Sequence, residues 1–231
     1  MSDVRSVGTV VVTGGSSGLG AAVAAAVEEA GGTPVVLDRQ APPNGFAWEE
    51  VDLSAPRVAE QAVRRVAEEH GGLDAVVTCA GIDACGDLSD IDADDWDRVI
   101  MVNLVATAAV VRAALPFLEE RRGRVVTVAS TLGIRALPAA TAYCASKFGV
   151  VGFTRALAAE TADRIGVTLL IPGGMSTHFF DDRPEEFKPA PDQRLNRPED
   201  VARSVIFALQ QPAGCELREL LVAPAAEPSW P

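Results

Sequence analysis

Apolar and polar positions follow two alternating rhythms along this chain. Short apolar runs rich in β-branched residues recur at Val7 to Thr13, Thr33 to Leu37, Phe46 to Val51, Leu73 to Thr78, Arg124 to Ala129, Val167 to Ile171 and Leu217 to Val222. Their length and near-continuous Val, Ile and Leu character predict strands covered on both faces. Phe46 to Val51 is the weakest and reads as an edge. Between them, apolar residues recur at helical spacing in Gly18 to Ala30, Ser54 to His70, Asp92 to Arg122 (one helix or two, holding Pro116), Ala139 to Asp163 and Pro198 to Leu209. The first two stop at glycine pairs, as helices that end in a left-handed residue do.

Strands alternating with helices predict βαβ units, hence an α/β fold with a doubly wound parallel sheet and helices on both faces. No repeat or linker divides the 231 residues, so one domain over 1–231 is expected. The Pro-rich stretch Arg183 to Pro198 reads as a loop or lid, within a segment 174–197 that would face substrate. The tail Pro224 to Pro231 reads as extended.

Composition narrows the function. The formal net charge of −12 repels phosphate backbones and anionic lipid, so neither nucleic acid nor a membrane surface is an expected partner. No uninterrupted apolar run reaches the ~18 residues of a bilayer span, and Met1 to Gly8 lacks a signal-peptide pattern. Cys79, Cys85, Cys144 and Cys215 show no paired spacing and read as reduced thiols in a cytoplasmic protein. With only His70 and His178, no metal site is expected. No lysine precedes Lys147, which excludes an N-terminal Walker A loop.

Candidate chemistry begins at Thr13-Gly14-Gly15-Ser16-Ser17-Gly18-Leu19-Gly20, between a strand and a helix. Glycines there allow a sharp turn and bring backbone N–H groups to a pyrophosphate at a helix N-terminus. Gly14 to Gly18 also satisfies the G-x-S-x-G of a hydrolase nucleophile elbow. That elbow would sit on the first strand, with no earlier strand to supply an oxyanion loop. Asp38 ends the second strand, where a carboxylate accepts from ribose hydroxyls and repels a 2′-phosphate. This favours NAD over NADP, although Arg39 beside it offsets part of the repulsion. Tyr143 and Lys147 are four apart in a predicted helix and share a face. An ammonium beside a phenol favours the phenolate, which makes a candidate general acid/base. Ser130, at the end of the fifth strand, could hold a carbonyl oxygen in front of it.

With these residues the chain resembles the short-chain dehydrogenase/reductase family, from about Thr9 to Pro224. The carrying motifs are the glycine loop, Asp52-Leu53, Cys79-Ala80-Gly81, Asn103, Ser130, Tyr143-x-x-x-Lys147 and Pro172-Gly173-x-x-x-Thr177. The resemblance implies a seven-stranded Rossmann sheet in the order 3-2-1-4-5-6-7. It implies a cofactor site at Gly14, Ser16, Ser17, Gly18, Leu19, Gly20, Asp38, Arg39, Asp52, Leu53, Cys79, Ala80, Gly81, Tyr143, Lys147, Pro172, Gly173 and Thr177. Asp52 would contact adenine, and Pro172 to Thr177 would flank the nicotinamide. Tyr143 would exchange the proton, Ser130 would orient the substrate oxygen, Lys147 would bind ribose and lower the tyrosine pKa, and Asn103 would hold a relay water. The family usually carries Asn-Asn-Ala-Gly where this chain has Thr78-Cys79-Ala80-Gly81, which puts the strand end there in doubt.

The implied activity is NAD-dependent interconversion of a secondary alcohol and a ketone. The substrate would be small or carrier-tethered, with 3-oxoacyl thioester reduction and 3-hydroxy-acid oxidation both open. The rival reading is a nucleotide-binding regulator without turnover, which has no need of Asn103, Ser130, Tyr143 and Lys147 together. His178 beside Phe179 and Phe180 reads as a loop histidine, and Asp181, Asp182, Glu185 and Glu186 as a solvated surface. A homodimer or homotetramer is expected, with Asp92 to Arg122 and Ala139 to Asp163 pairing across a two-fold axis. Ala106, Ala108, Ala109, Ala113 and Ala114 would allow close approach there.

Overall fold

Seven parallel strands form the centre of the computed structural model, which describes residues 4–227. The readings made for Met1 to Gly8 and for Pro224 to Pro231 therefore fall partly outside the described residues. The strands are β1 Thr9–Thr13, β2 Thr33–Asp38, β3 Ala47–Glu50, β4 Ala75–Thr78, β5 Arg124–Val128, β6 Gly166–Pro172 and β7 Glu219–Val222. They lie in the order β3-β2-β1-β4-β5-β6-β7, and every neighbouring pair is parallel. The helices are α1 Gly18–Glu29, α2 Pro56–Glu69, α3 Ala93–Ile100, α4 Ala106–Arg121, α5 Thr141–Glu160 and α6 Pro198–Leu209.

Period-two alternation divides the strand valines between two cores. Val11, Val35, Val76, Val125 and Val167 pack with α2 and α4 on one face. Val10, Val12, Val77, Val126 and Val128 pack with α1 and α6 on the other. Each fully buried valine or leucine contributes about 1.5–3 kcal/mol, which explains why these strands read as continuous apolar runs. Val7 and Leu73 are buried but precede the ladders, so β1 and β4 start two residues later than their apolar runs.

The order reverses at β1, which pairs with β2 on one side and β4 on the other. Connections leaving the two sides open a crevice above the C-terminal strand ends, where such folds bind ligands. Thr13, Leu37 and Thr78 are in register there.

Asp92 to Arg122 is one continuous helical rod whose middle, Met101–Val105, is a π turn. Asp92 caps it, accepting from the Asp94 and Asp95 N–H groups. By length and composition Ala93–Arg121 is apolar enough to cross a membrane, although no unbroken run suggested it. However, 56% of its most apolar window is buried inside the fold, where α4 packs against α2. Ala106, Ala109, Ala113 and Ala114 do not form an outward face for a second copy, because they are buried within this chain's own core. They allow α4 to approach its own sheet and α2.

Candidate active site

The glycine loop sits at the switch point. Gly14 has φ +67, and a Cβ on it would lie 2.8 Å from the Ala80 Cα, so the turn and the close approach both require glycine. A Cβ on Gly20 would lie 2.1 Å from the Gly14 carbonyl oxygen, so only glycine lets α1 start this close to the loop. Thr13 ties the loop to β4, its hydroxyl accepting from the Ala80 N–H at 3.2 Å. Ser17 at the start of α1 makes no side-chain cap, and the first turn holds no acidic residue. The first N–H groups of α1 therefore have no competing side-chain anion, and the helix dipole favours one there.

Asp38 bounds the same cleft. Its carboxylate accepts from the Ser16 N–H at 3.0 Å and the Gln40 N–H at 3.2 Å, and the Ser16 hydroxyl donates to the Gln40 carbonyl. The acid thus braces the glycine loop and, with four lone-pair sites, keeps acceptor capacity. Asp52 is exposed at the cleft edge. Ser54, whose N–H donates to it at 2.8 Å, holds its carboxyl below the usual range. These groups fit a dinucleotide: backbone donors at an uncapped helix for the pyrophosphate, and a carboxylate for the adenosine ribose.

Tyr143, Ser130 and Lys147 meet at the other end. α5 carries Tyr143 and Lys147 one turn apart, and β5 delivers Ser130 opposite. The Ser130 hydroxyl accepts from the Leu132 N–H at 3.1 Å and favours the ionised form of Tyr143. Lys147 is buried, and its ammonium donates to the Val128 carbonyl at 3.0 Å. The expected acidification of Tyr143 by Lys147 is not found. Burial holds the phenol well above its usual range, opposed chiefly by Ser130. The Lys147 Nζ lies 5.5 Å from the ring centroid, against the ring and anchored to Val128. Burial instead pushes Lys147 itself down to about 8.

Asn103 lies in the π turn, and such turns commonly mark functional sites. Its amide donates to the Ile82 carbonyl at 2.9 Å and to Ser146 Oγ at 3.0 Å, and accepts from the Ile82 N–H at 2.8 Å. The side chain is therefore a strut for the loop after β4. A Cβ on Gly81 would come within 3.5 Å of both Asn103 Oδ1 and Lys147 Nζ.

Cys79 and Ala80 complete the floor of the cleft. Burial pushes the Cys79 thiol up to about 12, so it is neutral. The strand end survives the departure from Asn-Asn: β4 pairs with β1 and β5 through Thr78. The Thr78 hydroxyl, however, is buried without a hydrogen-bond partner among the described residues.

One cleft of about 620 Å³ joins both ends. It is lined by Gly14, Ser17 to Gly20, Asp38, Arg39, Asp52, Leu53, Cys79 to Gly81, Ser130, Tyr143, Lys147, Pro172, Gly173 and Thr177. Of the expected site residues, Ser16 and Asn103 stand behind this lining. Thr177 lies over the glycine loop, 3.5 Å from where a Gly18 Cβ would be.

Sequence reading missed Arg183 and Glu227, which line this cleft, and Asp83, which stands behind the lining. Asp83 follows Gly81 by two residues and pairs with Arg183. Arg183 is the one cation among Asp181 to Glu186, a signal that was available. Glu227 accepts from the Gly174 N–H at 2.8 Å, and nothing local marked it. His178 pairs with Asp181 at 2.7 Å, and its side chain is 89% exposed.

Comparison with known proteins gives a consistent result. Residues 8–187 match the short chain dehydrogenase family. An uncharacterised oxidoreductase of Staphylococcus aureus (strain MRSA252) is 31% identical over 226 residues, covering 93% of this chain and 96% of that protein. Among solved structures, ligand-free aldohexose dehydrogenase of Thermoplasma acidophilum superposes with a TM-score of 0.83 at 24% identity, covering 94% of this chain and 92% of its own. Alcohol dehydrogenase of Thermococcus sibiricus, complexed with 5-hydroxy-NADP, gives 0.83 at 23%, covering 93% and 95%.

Proposed function

The chain belongs to the short-chain dehydrogenase family of oxidoreductases, and we propose that within it the protein interconverts a neutral secondary alcohol and its ketone with NAD(H). The observation that carries this reading is the single cleft in which Ser130, Tyr143 and Lys147 face a glycine loop and Asp38. When bound, the dinucleotide supplies hydride transfer at its nicotinamide. The Tyr143 hydroxyl gives or takes the proton of the substrate oxygen. The Ser130 hydroxyl holds that oxygen and orients it. Lys147 would bind the nicotinamide ribose beside Tyr143, and Asn103 would hold a relay water. Pro172, Gly173 and Thr177 would flank the nicotinamide, and Asp52 and Leu53 the adenine.

The substrate side favours a neutral molecule. Arg183 is paired with Asp83, Lys188 with Glu185 and His178 with Asp181. Leu132, Leu137, Phe179, Phe180 and Phe187 supply apolar walls. A free carboxylate would find Arg183 and Lys188 already engaged and would face the acids paired with them, so a simple ketone or a thioester-linked 3-oxoacyl group fits better than a 3-hydroxy acid.

Asp38 supports NAD, because a 2′-phosphate would meet its charge, offset in part by the exposed Arg39. The NADP analogue in the Thermococcus sibiricus enzyme makes this choice worth testing directly. NADH is expected to bind at least about tenfold more tightly than NADPH in a fluorescence titration, and the reverse order would overturn the role given to Asp38. Turnover is tested by NADH oxidation against a panel of neutral ketones, with Tyr143→Phe as the control. Equal activity in that variant would reject the mechanism. A cytoplasmic homodimer or homotetramer fits the free thiols and the exposed Phe148 on α5. A monomer in light scattering would remove the oligomer.

A further inference from the structure

Segment 173–197 crosses the substrate side of the cleft, and its ends are stitched to each other. Met175 and Asn196 form a bridge, the Ser176 N–H donates to the Asn196 carbonyl at 2.8 Å, and the Asn196 N–H donates to Gly174 at 3.0 Å. The turns between those ends, His178–Phe180 and Glu185–Phe187, close on themselves. Side chains reach across to the body. Arg183 pairs with Asp83 of the loop after β4, a contact spanning 100 residues of sequence. The two side chains are only 18% and 5% exposed. The Arg183 guanidinium also donates to the Phe187 carbonyl at 3.3 Å and lies 5.2 Å and 4.7 Å from the ring centroids of Phe179 and Phe180. Phe179 in turn packs on Tyr143, with centroids 5.7 Å apart.

Charge runs along the same chain of contacts. Asp83 favours the neutral phenol of Tyr143, and Arg183 opposes it. The other groups facing Tyr143 are Ser130 from the end of β5 and Cys144 and Lys147 from α5, with Cys79 behind Lys147. Cys85 and the Ala84 N–H donate to Asp83 at 3.3 Å and 2.8 Å. His178 and Lys188, on the segment itself, are engaged by Asp181 and Glu185.

We propose that Asp83 and Arg183 are positioning residues that form a charged latch: the pair seats segment 173–197 on Tyr143 through Phe179 and cancels the charge that Asp83 would otherwise present to the site. Lifting the segment would break the charge-assisted pair and leave Asp83 with only the Cys85 thiol and the Ala84 N–H as donors, so the pair favours the seated segment. Closure over substrate and the readiness of Tyr143 to exchange a proton are thereby one event. The proposal rests on Tyr143 as the acid–base group.

The two arms of the pair predict shifts of opposite sign. In Arg183→Gln the uncancelled Asp83 moves the Tyr143-linked limb of the kcat/KM profile for alcohol oxidation alkaline by about half a pH unit or more, and Asp83→Asn moves it acid by a similar amount. In the double variant D83N/R183Q the two charge effects are both removed, so its profile falls between those of the single variants, while KM stays raised about tenfold because the seat is lost. Arg183→Lys keeps the charge without the planar fork, so it raises KM and leaves the profile in place. Tyr143 is the only tyrosine, so the near-ultraviolet tyrosinate band of the protein without cofactor reports it without turnover. Its onset should come later in Arg183→Gln and earlier in Asp83→Asn. Shifts of one sign in both single variants, or no shift in either readout, overturn the charge coupling. An unchanged KM in all four variants overturns the seat. Opposite tyrosinate shifts in a protein that turns over no ketone would uphold the latch and reject the dehydrogenase reading.

Discussion

The two ends of the cleft are built from different materials. The dinucleotide end is backbone: a strand, a glycine turn and the first turn of α1 are contiguous, and Asp38 braces them through N–H groups of Ser16 and Gln40. The substrate end is side chain. Tyr143, Asp83, Arg183 and Phe179 come from three segments far apart in sequence and hold one another by charge and ring contact. The first end should therefore fail when atoms are added and the second when charges or hydroxyls are changed.

Removing the Tyr143 hydroxyl should have the largest effect. Tyr143→Phe keeps the ring on Phe179 but deletes the proton carrier, so kcat should fall about 10²–10⁴-fold. NADH affinity, measured by fluorescence, should stay within about threefold, because the backbone end is untouched. A collapse of affinity would show that the two ends are not separable. At the backbone end the pattern reverses. In Gly20→Ala the new methyl meets the Gly14 carbonyl at 2.1 Å and forces the loop away from α1. NADH affinity should drop at least tenfold, with a stability loss of about 1–3 kcal/mol in urea. Retained affinity would mean that the loop does not hold the dinucleotide.

The same contrast explains what the sequence disclosed. The alternation of strands with helices and the glycine loop were legible because continuous apolar runs and a strand–glycine–helix succession are local signals, whereas the sheet order came only with the family resemblance. Tyr143 and Lys147 were legible because one helical turn puts them on one face. The π turn holding Asn103 was not, since no composition separates it from the α-helix around it. Asp83 looks like an ordinary loop charge until the fold joins it to Arg183, and Arg183 was marked only as the one cation in an acidic run. The alanines of α4 misled because small residues serve an internal interface as readily as an external one, and their exposure alone distinguishes the two.

Lys147 sits where the two ends meet, and it should cost the fold what it gives the site. Burial lowers its pKa from 10.5 to about 8. Between those values the unfolded chain holds a proton that the folded chain does not, so stability rises with pH through that window and the full penalty applies below it. A shift of this size corresponds to about 3 kcal/mol. Lys147→Met keeps the apolar stem and removes the penalty, but leaves the Val128 carbonyl without its donor, a loss of about 1–3 kcal/mol. The variant should gain about 1 kcal/mol at pH 7 in denaturant melts, lose that gain by about pH 10, and turn over poorly. A stability change independent of pH would refute the burial of a charge-shifted lysine.

The smallest expected effect lies at the border, on Thr78. It is 2% exposed at the end of β4, in register with Thr13 and Thr127. Its hydroxyl has no hydrogen-bond partner among the described residues, just where family members usually carry an asparagine pair. A hydroxyl taken from water without compensation costs about 1–3 kcal/mol, and part of that is recovered by a side chain of the same shape without it. Valine is such a side chain and suits a strand with both faces covered. Thr78→Val should therefore stabilise the fold by about 0.5–1 kcal/mol, raising Tm by roughly 2–3 °C in a chain of this size. Cofactor affinity and the pH profile should not move, since neither end of the cleft uses this oxygen. A lower Tm would mean that the hydroxyl is satisfied after all, and that the cysteine-containing strand end has a polar network of its own in place of the missing amides.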